Sequence, residues 1–276
     1  MINILLLTDF SDAGTAAAKT AFTIARNMTA NLEILHALQV PVDWDGLPTD
    51  KQAAYPEIQK EIAKASDLLD DLVSIAGEQG VKAGKKILPT SSIRSFIHAL
   101  TGLQKDLIIM GASSRSAMEK FVLGSTTERM MRKSGSPVLV VKSTPELPQI
   151  KTVVFASGLE QDTHNAFQRL IDFARDVGAI NLHFVEVTTP FNFMPSNDAH
   201  KKITDFLAHH PGVDIQAHNY NHFNIESGIL AFARSVNADL IAIANHGRQD
   251  ISSIFVESIP ENLVRVGDTP VLSIKT

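Results

Sequence analysis

Residues 239–276, the final stretch of the chain, repeat residues 106–143 at a constant numbering offset of 133. The tripeptide at 106–108 returns at 239–241, and the tripeptide at 137–139 returns at 270–272. Four single residues keep the same offset: Arg115 with Arg248, Ser125 with Ser258, Glu128 with Glu261, and Arg132 with Arg265. A repeat this regular predicts two copies of one domain in tandem. The differences between the copies then carry the functional information.

Charge and cysteine content exclude several classes of function. The 276 residues carry 25 basic and 30 acidic side chains, for a net charge of −5. Because binding to nucleic acid phosphates leaves a basic footprint, this balance argues against nucleic acid as the main partner. The chain has no cysteine, which rules out disulfides, thiolate catalysis and cysteine metal sites.

The apolar run at 1–7 resembles the start of a signal peptide, but it lacks a basic start and a small-residue cleavage site. It also reaches Asp9 too soon for a leader of that kind. No apolar run approaches the length of about 20 residues that a membrane helix needs. We therefore expect a cytoplasmic protein with no membrane partner.

In the first copy, short apolar runs alternate with amphipathic helices. Ser11 or Asp12 can cap the first helix, because their side chains accept hydrogen bonds from backbone N–H groups. Predicted strands lie at 4–8, 32–38, 81–88, 107–110 and 138–141, with helices from 12, at 55–76, around 93–100 and at 126–132. This alternation predicts an α/β fold, a doubly wound parallel sheet with helices on both faces.

The second copy follows the same order, with strands at 153–156 and 182–187, a helix near 166–174 and a short one near 203–207. Residues 143–148 read as a linker, so we predict domains at 1–143 and 149–276. At the front of the copies we pair Thr8 with Ala156, an offset of 148. The offset at the back is only 133, so the second copy is shorter than the first by the difference, 15.

A glycine-rich pattern in the first copy suits a phosphate. The fourth strand ends at Gly111, Ser114 follows, and nine residues later Gly124 and Ser125 open a helix. Glycine lets backbone N–H groups approach phosphate oxygens, and a helix N-terminus adds N–H donors and a positive dipole end. Asp9 ends the first strand at the same sheet edge, where ligands of doubly wound sheets bind.

These residues resemble the universal stress protein family. Its nucleotide-binding members carry a glycine, two residues, a second glycine, nine residues, then a glycine and a serine or threonine. The run 7–11 is similar to the family's first strand with its acidic residue, and 136–141 to its last strand. The resemblance implies two five-stranded sheets ordered 3-2-1-4-5. It also implies a pairing of the two domains within one chain, like the dimers that family members form through their fifth strands. Whether two chains assemble further stays open.

Carried over to this chain, the resemblance implies ATP or another adenine nucleotide, which Mg²⁺ can accompany. Asp9, beside Thr8, would contact ribose, and the backbone near Ala37 would contact adenine. Phosphate and sugar would lie against the following residues: Met110, Gly111, Ser114, Gly124, Ser125 and Thr126. Ser114 departs from the family pattern, which has glycine there. Its Cβ disfavours positive φ, so we expect weakened binding.

The second copy has lost more of the pattern. Ala244 stands where the first copy has Gly111, Glu257 where it has Gly124, and Ser157 opposite Asp9. A carboxylate at a helix N-terminus repels phosphate. Pro260 in the first turn removes a backbone donor. We therefore expect no nucleotide in the second domain, with Glu257 closing the site from within.

Three functions remain open. The pattern favours a stress-response regulator, in which nucleotide occupancy changes a surface read by an unidentified protein partner. A scaffold that binds no ligand and a slow ATPase are the alternatives. No nucleophile and base stand at a recognisable catalytic spacing, so no catalytic residue is predicted.

Histidines and loop aromatics supply further signals. Eight of the ten histidines lie in the second copy, His218 and His222 among them. No acidic residue stands at a supporting spacing, so we expect scattered surface histidines and no metal site. Trp44, Phe191 and Phe193 lie in loops beside prolines. They mark either a partner surface or, as we expect, side chains folded back over the domain edge.

Overall fold

The computed structural model describes residues 1–112, 124–142, 149–159, 163–245 and 259–276. They form two compact units, here domain 1 (1–112 and 124–142) and domain 2 (149–159, 163–245 and 259–276). The predicted linker at 143–148 lies outside the described residues, so the exact domain boundaries stay a prediction.

Domain 1 alternates strands and helices as predicted. Its elements are β1 (Asn3–Thr8), α1 (Asp12–Asn27), β2 (Asn31–Gln39), α2 (Thr49–Gln52), α3 (Pro56–Glu78), β3 (Ala83–Thr90), α4 (Ile93–Thr101), β4 (Leu107–Gly111), α5 (Ser125–Lys133) and β5 (Val138–Val141). Neighbouring strands pair in parallel in the order β3-β2-β1-β4-β5. The predicted order 3-2-1-4-5 is confirmed.

Domain 2 repeats this order. Its elements are β6 (Thr152–Ala156), α6 (Thr163–Val177), β7 (Asn181–Thr188), α7 (Ser196–Ala208), β8 (Gln216–Asn221), α8 (Ile225–Ser235), β9 (Leu240–Asn245), α9 (Ile259–Val266) and β10 (Val271–Lys275). Its strands pair in parallel in the order β8-β7-β6-β9-β10. By position, β8 corresponds to β3 and β10 to β5.

Sheet register corrects the predicted alignment of the two copies at their front. Ile4 lies beside Leu107 and Val153 beside Leu240, and these two leucines are equivalent at the offset of 133. Ile4 and Val153 are therefore equivalent, which makes the front offset 149 instead of 148. Thr8 then corresponds to Ser157, and the second copy is shorter by one residue more than predicted.

The two cores are built from different side chains. In domain 1 the apolar run of β1 is buried, and α1 packs small residues such as Ala17 and Ala21. In domain 2 three buried phenylalanines contact one another: Phe155, Phe167 and Phe184. Domain 2 thus has a cluster of contacting phenylalanines beneath the helix that follows its first strand, where domain 1 has small side chains.

Of the three aromatic residues predicted to lie in loops, one folds back over its domain and two are exposed. Trp44 is buried with Val40 and Ile58, so it folds back as expected. Phe191 and Phe193 are 96% and 76% exposed, so for them that expectation is wrong. Their loop follows β7 and turns outward at Asn192, whose side chain accepts hydrogen bonds from Thr189.

Within the described ranges, no helix combines the length and the apolarity that crossing a membrane requires.

Candidate functional site

The turn between β1 and α1 holds a carboxylate at a helix N-terminus. Ser11 caps α1, and its hydroxyl accepts a hydrogen bond from the Gly14 backbone N–H at 3.1 Å. The Asp9 carboxylate in turn accepts from the Ser11 hydroxyl at 2.5 Å and from the Ser11 backbone N–H at 3.1 Å. The Asp9 side chain is exposed, so an acceptor is fixed at the sheet edge and faces solvent.

Two glycines allow this arrangement. A Cβ on Gly14 would lie 2.8 Å from Asp9 Oδ1 and 3.2 Å from Thr8 Oγ1. A Cβ on Gly111 would lie 2.6 Å from the carbonyl carbon of Ala13 and 2.8 Å from Gly14 N. These two distances from Gly111 to backbone atoms are shorter than real Cβ contacts. The end of β4 therefore touches the first turn of α1 only because Gly111 lacks a side chain.

His36 supports the same turn from β2. Its ring Nδ1 lies 2.9 Å from the Thr8 carbonyl oxygen, which can only accept, so Nδ1 carries the proton. The ring also packs against Phe10 with centroids 4.5 Å apart. Phe10 has a φ of 59°, a left-handed conformation that is rare for a bulky residue. The contacts of His36 and the Thr8 hydroxyl, which accepts from Phe10 N, hold this turn.

The start of α5 lies at the end of β4. Gly124 is its N-cap residue and has no side chain with which to cap the first-turn N–H groups. The buried Thr127 donates from Oγ1 to the Gly111 carbonyl at 3.2 Å. This hydrogen bond fixes the N-terminus of α5 beside Gly111.

The structure brings most of the predicted site residues to one sheet edge. Thr8 ends β1, and Met110 is the residue before the end of the neighbouring β4, where it pairs with Leu7. Ala37 lies one residue beyond His36, the register partner of Thr8. Ser125 is exposed and Thr126 half-buried at the start of α5. Ser114 lies outside the described residues.

Domain 2 lacks this arrangement at each decisive position. With the corrected front offset, Gly158 corresponds to Asp9 and Thr163 to Gly14, while Ala244 corresponds to Gly111. The expected pairing of Ser157 with Asp9 is wrong by one residue, although the loss of the carboxylate holds. Ser157 instead matches Thr8, and its hydroxyl accepts from Leu159 N at 3.0 Å. Thr163 lies 3.5 Å from that hydroxyl, side chain to side chain.

An ion pair lies where domain 1 has His36. Val185 pairs with Ala156, so Glu186 is the counterpart of His36. Glu186 is buried, and its carboxylate binds the Lys202 ammonium at 2.8 Å. The same ammonium donates to the Gly158 carbonyl at 2.7 Å. The Lys202 side chain therefore contacts the backbone of Gly158, the residue that corresponds to Asp9 of domain 1.

The other expectations for domain 2 have mixed outcomes. Glu257, predicted to close the site, lies outside the described residues, and its role stays a prediction. Pro260 corresponds to Thr127, so domain 2 lacks the hydrogen bond that joins α5 to Gly111. The sequence pattern does not reveal the contacts that Gly14, His36 and Lys202 make at these sheet edges. A glycine one turn after a capping serine was the available signal for Gly14.

Four histidines of domain 2 form two pairs instead of being scattered over the surface as expected, whereas His200 and His209 are exposed. His164 Nδ1 lies 2.9 Å from His210 Nε2, and His183 Nδ1 lies 3.2 Å from His218 Nε2. No cluster of three or more His, Asp or Glu side chains suited to a metal ion occurs in the described part of the chain. His246 lies outside the described residues.

A sequence model of the universal stress protein family matches residues 1–142 and again residues 149–275. The chain belongs to the universal stress protein family. With one match in each half, it is a tandem universal stress protein, as the resemblance predicted.

Relatives and solved structures agree with this assignment. A universal stress protein of Methanocaldococcus jannaschii is 31% identical over 140 residues, which cover 50% of this chain and 81% of that protein. A universal stress protein from Archaeoglobus fulgidus has a TM-score of 0.76 at 18% identity, covering 99% of this chain and 98% of that one. A protein of unknown function from Pseudomonas aeruginosa has a TM-score of 0.71 at 18% identity, covering 99% and 92%. The two structural likenesses show the fold.

Proposed function

We propose that domain 1 of this tandem universal stress protein binds an adenine nucleotide and that occupancy regulates an interaction with a protein partner. The observation that carries the proposal is the fixed Asp9 carboxylate at the N-terminus of α1, with the N-terminus of α5 held beside Gly111 at the same sheet edge. Gly14 makes room for the carboxylate, Gly111 lets β4 approach α1, and the N-cap of α5 is a glycine. A carboxylate suits ribose hydroxyls, and helix N-termini suit phosphates.

Each part of the ligand has a partner of matching chemistry. Ribose hydroxyls would donate to Asp9, and the backbone near Ala37 would meet the base. Phosphate oxygens would accept from the first-turn N–H groups of α5 and from the hydroxyls of Ser125 and Thr126. Ser114 would add a hydroxyl from the loop between β4 and α5.

Domain 2 binds no nucleotide in this proposal and serves as the dimerisation partner built into the same chain. Gly158 offers no acceptor side chain for ribose. Ala244 and Thr163 add side chains where domain 1 has glycines. The Lys202–Glu186 ion pair lies at the same sheet edge.

Calorimetric titration of the whole chain with ATP, ADP and AMP tests the proposal. We expect one nucleotide per chain, and loss of binding when Asp9→Ala and Gly124→Glu are combined. Asp12→Ala is the matched control, because it removes an exposed carboxylate from the same end of α1 and should leave binding intact. A ligand at a hundredfold excess over its Kd should also stabilise its folded domain by about 2.7 kcal/mol.

Other results select other functions. Absence of binding at millimolar concentration of all three nucleotides would favour a scaffold without ligand. Multiple turnovers of ATP that Asp9→Ala abolishes would favour a slow ATPase. Two nucleotides bound per chain would refute the assignment of domain 2.

A further inference from the structure

Domain 2 holds two histidine pairs, one on each face of its sheet. His183 and Phe184 are adjacent on β7 and so point to opposite faces. Phe184 packs against Phe206, on which the ring of His164 stacks at 4.4 Å. His183 packs on the other side, against Phe232 of α8. The His164–His210 pair therefore lies between α6 and the end of α7, and the His183–His218 pair lies between the strands and α8.

Each pair is a hydrogen bond between two imidazoles, which limits the protons it can hold. One ring nitrogen must donate and the other accept, so the bond can form between two neutral rings or between one protonated and one neutral ring. A first added proton places a charge on a ring that is wholly or partly buried among aromatic rings. A second proton turns both facing nitrogens into donors and breaks the bond. Full protonation therefore opposes both contacts.

The surroundings supply little to offset that charge. For the His164–His210 pair, α6 contributes Phe167 and α7 contributes Phe206, while the segment after α7 contributes a third histidine, His209. Its ring centroid lies 5.0 Å from that of His164. Among the described residues, no carboxylate forms an ion pair with any of the four paired imidazoles.

The His183–His218 pair has comparable neighbours. From α8 it meets the Phe232 ring, whose centroid lies 4.7 Å from that of His218. Along β8 the titratable neighbour is Tyr220, which packs on the same Phe232 ring. Glu226 at the start of α8 accepts a hydrogen bond from Asn262.

The direction of titration follows from these contacts. Burial is the main cause that lowers the pKa of His164, and the charge of His209 is the second. Burial is also the main cause that lowers the pKa of His210, and the charges of His164 and His209 add to it. Burial lowers the pKa of His183. Burial is the main cause that lowers the pKa of His218, and the charge of His183 adds to it.

We propose that domain 2 is an acid-responsive module, in which protonation of its two histidine pairs below about pH 6.5 loosens the β7–β8 edge and the α6–α7 contact while domain 1 stays folded. An opened or unfolded state binds more protons than the folded state between the lowered pKa values and the ordinary value near 6.5. The stabilisation is therefore fully present above about pH 6.5 and is lost as the pH falls toward the folded pKa values. Each histidine changes the opening constant by up to about tenfold per pH unit.

Hydrogen exchange of the whole chain between pH 7.5 and 5.0, corrected for the intrinsic pH dependence of exchange, tests this module. We expect protection of β8 and the end of α7 to fall as the pH is lowered, by up to about tenfold per pH unit for each histidine that titrates. The amides of β1 and β4 should keep their protection and serve as the internal reference. The module is independent of nucleotide binding, so the test needs no ligand.

Variants separate the pairs from other effects of acid. His210→Gln combined with His218→Gln should flatten the response, because glutamine is neutral and can still hydrogen-bond. His200→Gln, at an exposed position of α7, should respond like the wild type. The proposal would be overturned if the loss of protection at low pH were unchanged in the double variant. It would also be overturned if domain 1 lost protection to the same extent as domain 2.

Titration of the imidazoles by nuclear magnetic resonance decides the matter if the double variant does not fold. In the wild type the four paired rings should titrate below pH 6.5. Ordinary or raised values for both pairs would refute the module.

Discussion

Single atoms decide which copy can hold a carboxylate at the sheet edge. In domain 1 the missing Cβ atoms of Gly14 and Gly111 leave room for the Asp9 side chain and for the backbone of α1. In domain 2 the places of Asp9 and Gly14 are taken by Gly158 and Thr163, so the side chain has moved from one residue to the other. The two exchanges are coupled, since a Cβ at residue 14 would lie 2.8 Å from Asp9 Oδ1 and the carboxylate would have to shift.

Gly111→Ala should destabilise domain 1 by about 1–3 kcal/mol, the usual range for overpacking, because the new methyl group meets backbone atoms that cannot rotate away. Denaturant unfolding followed by Trp44 fluorescence measures the change. Gly84→Ala on β3 is the control, because its Cβ would meet nothing within 4 Å. Equal stability of the two variants would contradict the packing described for Gly111.

At the scale of elements, the helices that begin at the carboxyl edge of the domain 1 sheet start in different ways. Ser11 caps α1 and Ser92 caps α4 through their hydroxyls, whereas α5 begins at a glycine without a side-chain cap. The cap of α1 also binds Asp9, so one hydroxyl serves both the helix and the candidate site. The cap of α4 serves its helix and Ser95.

Ser11→Ala and Ser92→Ala form a matched pair of cap deletions. Each should lower stability by about 0.5–2 kcal/mol, because each leaves an N-terminal backbone donor without its partner. Only Ser11→Ala should also weaken nucleotide binding, since it removes a hydrogen bond that orients the Asp9 carboxylate. Thermal unfolding and calorimetric titration read the two effects separately. The same nucleotide affinity in both variants would show that Ser11 acts on the helix alone.

Over the whole molecule, one topology accommodates side chains of different size beneath the helix that follows the first strand of each domain. The single tryptophan lies in domain 1, whereas the cluster of buried phenylalanines lies in domain 2. Where α1 has the small Ala18, α6 has Phe167 at the equivalent position, in contact with Phe155 and Phe184. A domain with so bulky a helix face must space its helix and sheet differently from its partner.

Phe167→Ala should destabilise domain 2 by about 3–5 kcal/mol, since it opens a cavity in a buried aromatic cluster. Circular dichroism, which sees both domains, should then show an early transition that Trp44 fluorescence does not follow. Ile75→Ala, at an exposed position of α3, is the control and should shift neither signal strongly. An equal shift of both signals in Phe167→Ala would mean that the domains unfold as one unit.

Apolar runs, which are local signals, predicted the alternation of strands and helices. The strand order came from the resemblance to the universal stress protein family, and the candidate site came from that resemblance together with the glycine spacing. Apolar runs also have a limit as signals. They misplaced the front of the second copy by one residue, since a continuous apolar run such as 153–156 fits a register equally well one step either way. The register of residues 153–156 is fixed only by their pairing with β9. The histidine pairs join residues far apart in the chain, His164 with His210 and His183 with His218, and no local pattern reveals such contacts. The contact of Lys202 with Gly158 was equally hidden, because it depends on how α7 crosses its strand.

Domain 1 has the pair Asp9 and Gly14 where domain 2 has Gly158 and Thr163. This exchange also bears on how duplicated domains diverge. An aspartate at 158 would face the Thr163 side chain, a contact that domain 1 avoids because its residue 14 is glycine. The two positions therefore diverge as a unit, and a second carboxylate site of the same design would require both of them to change together.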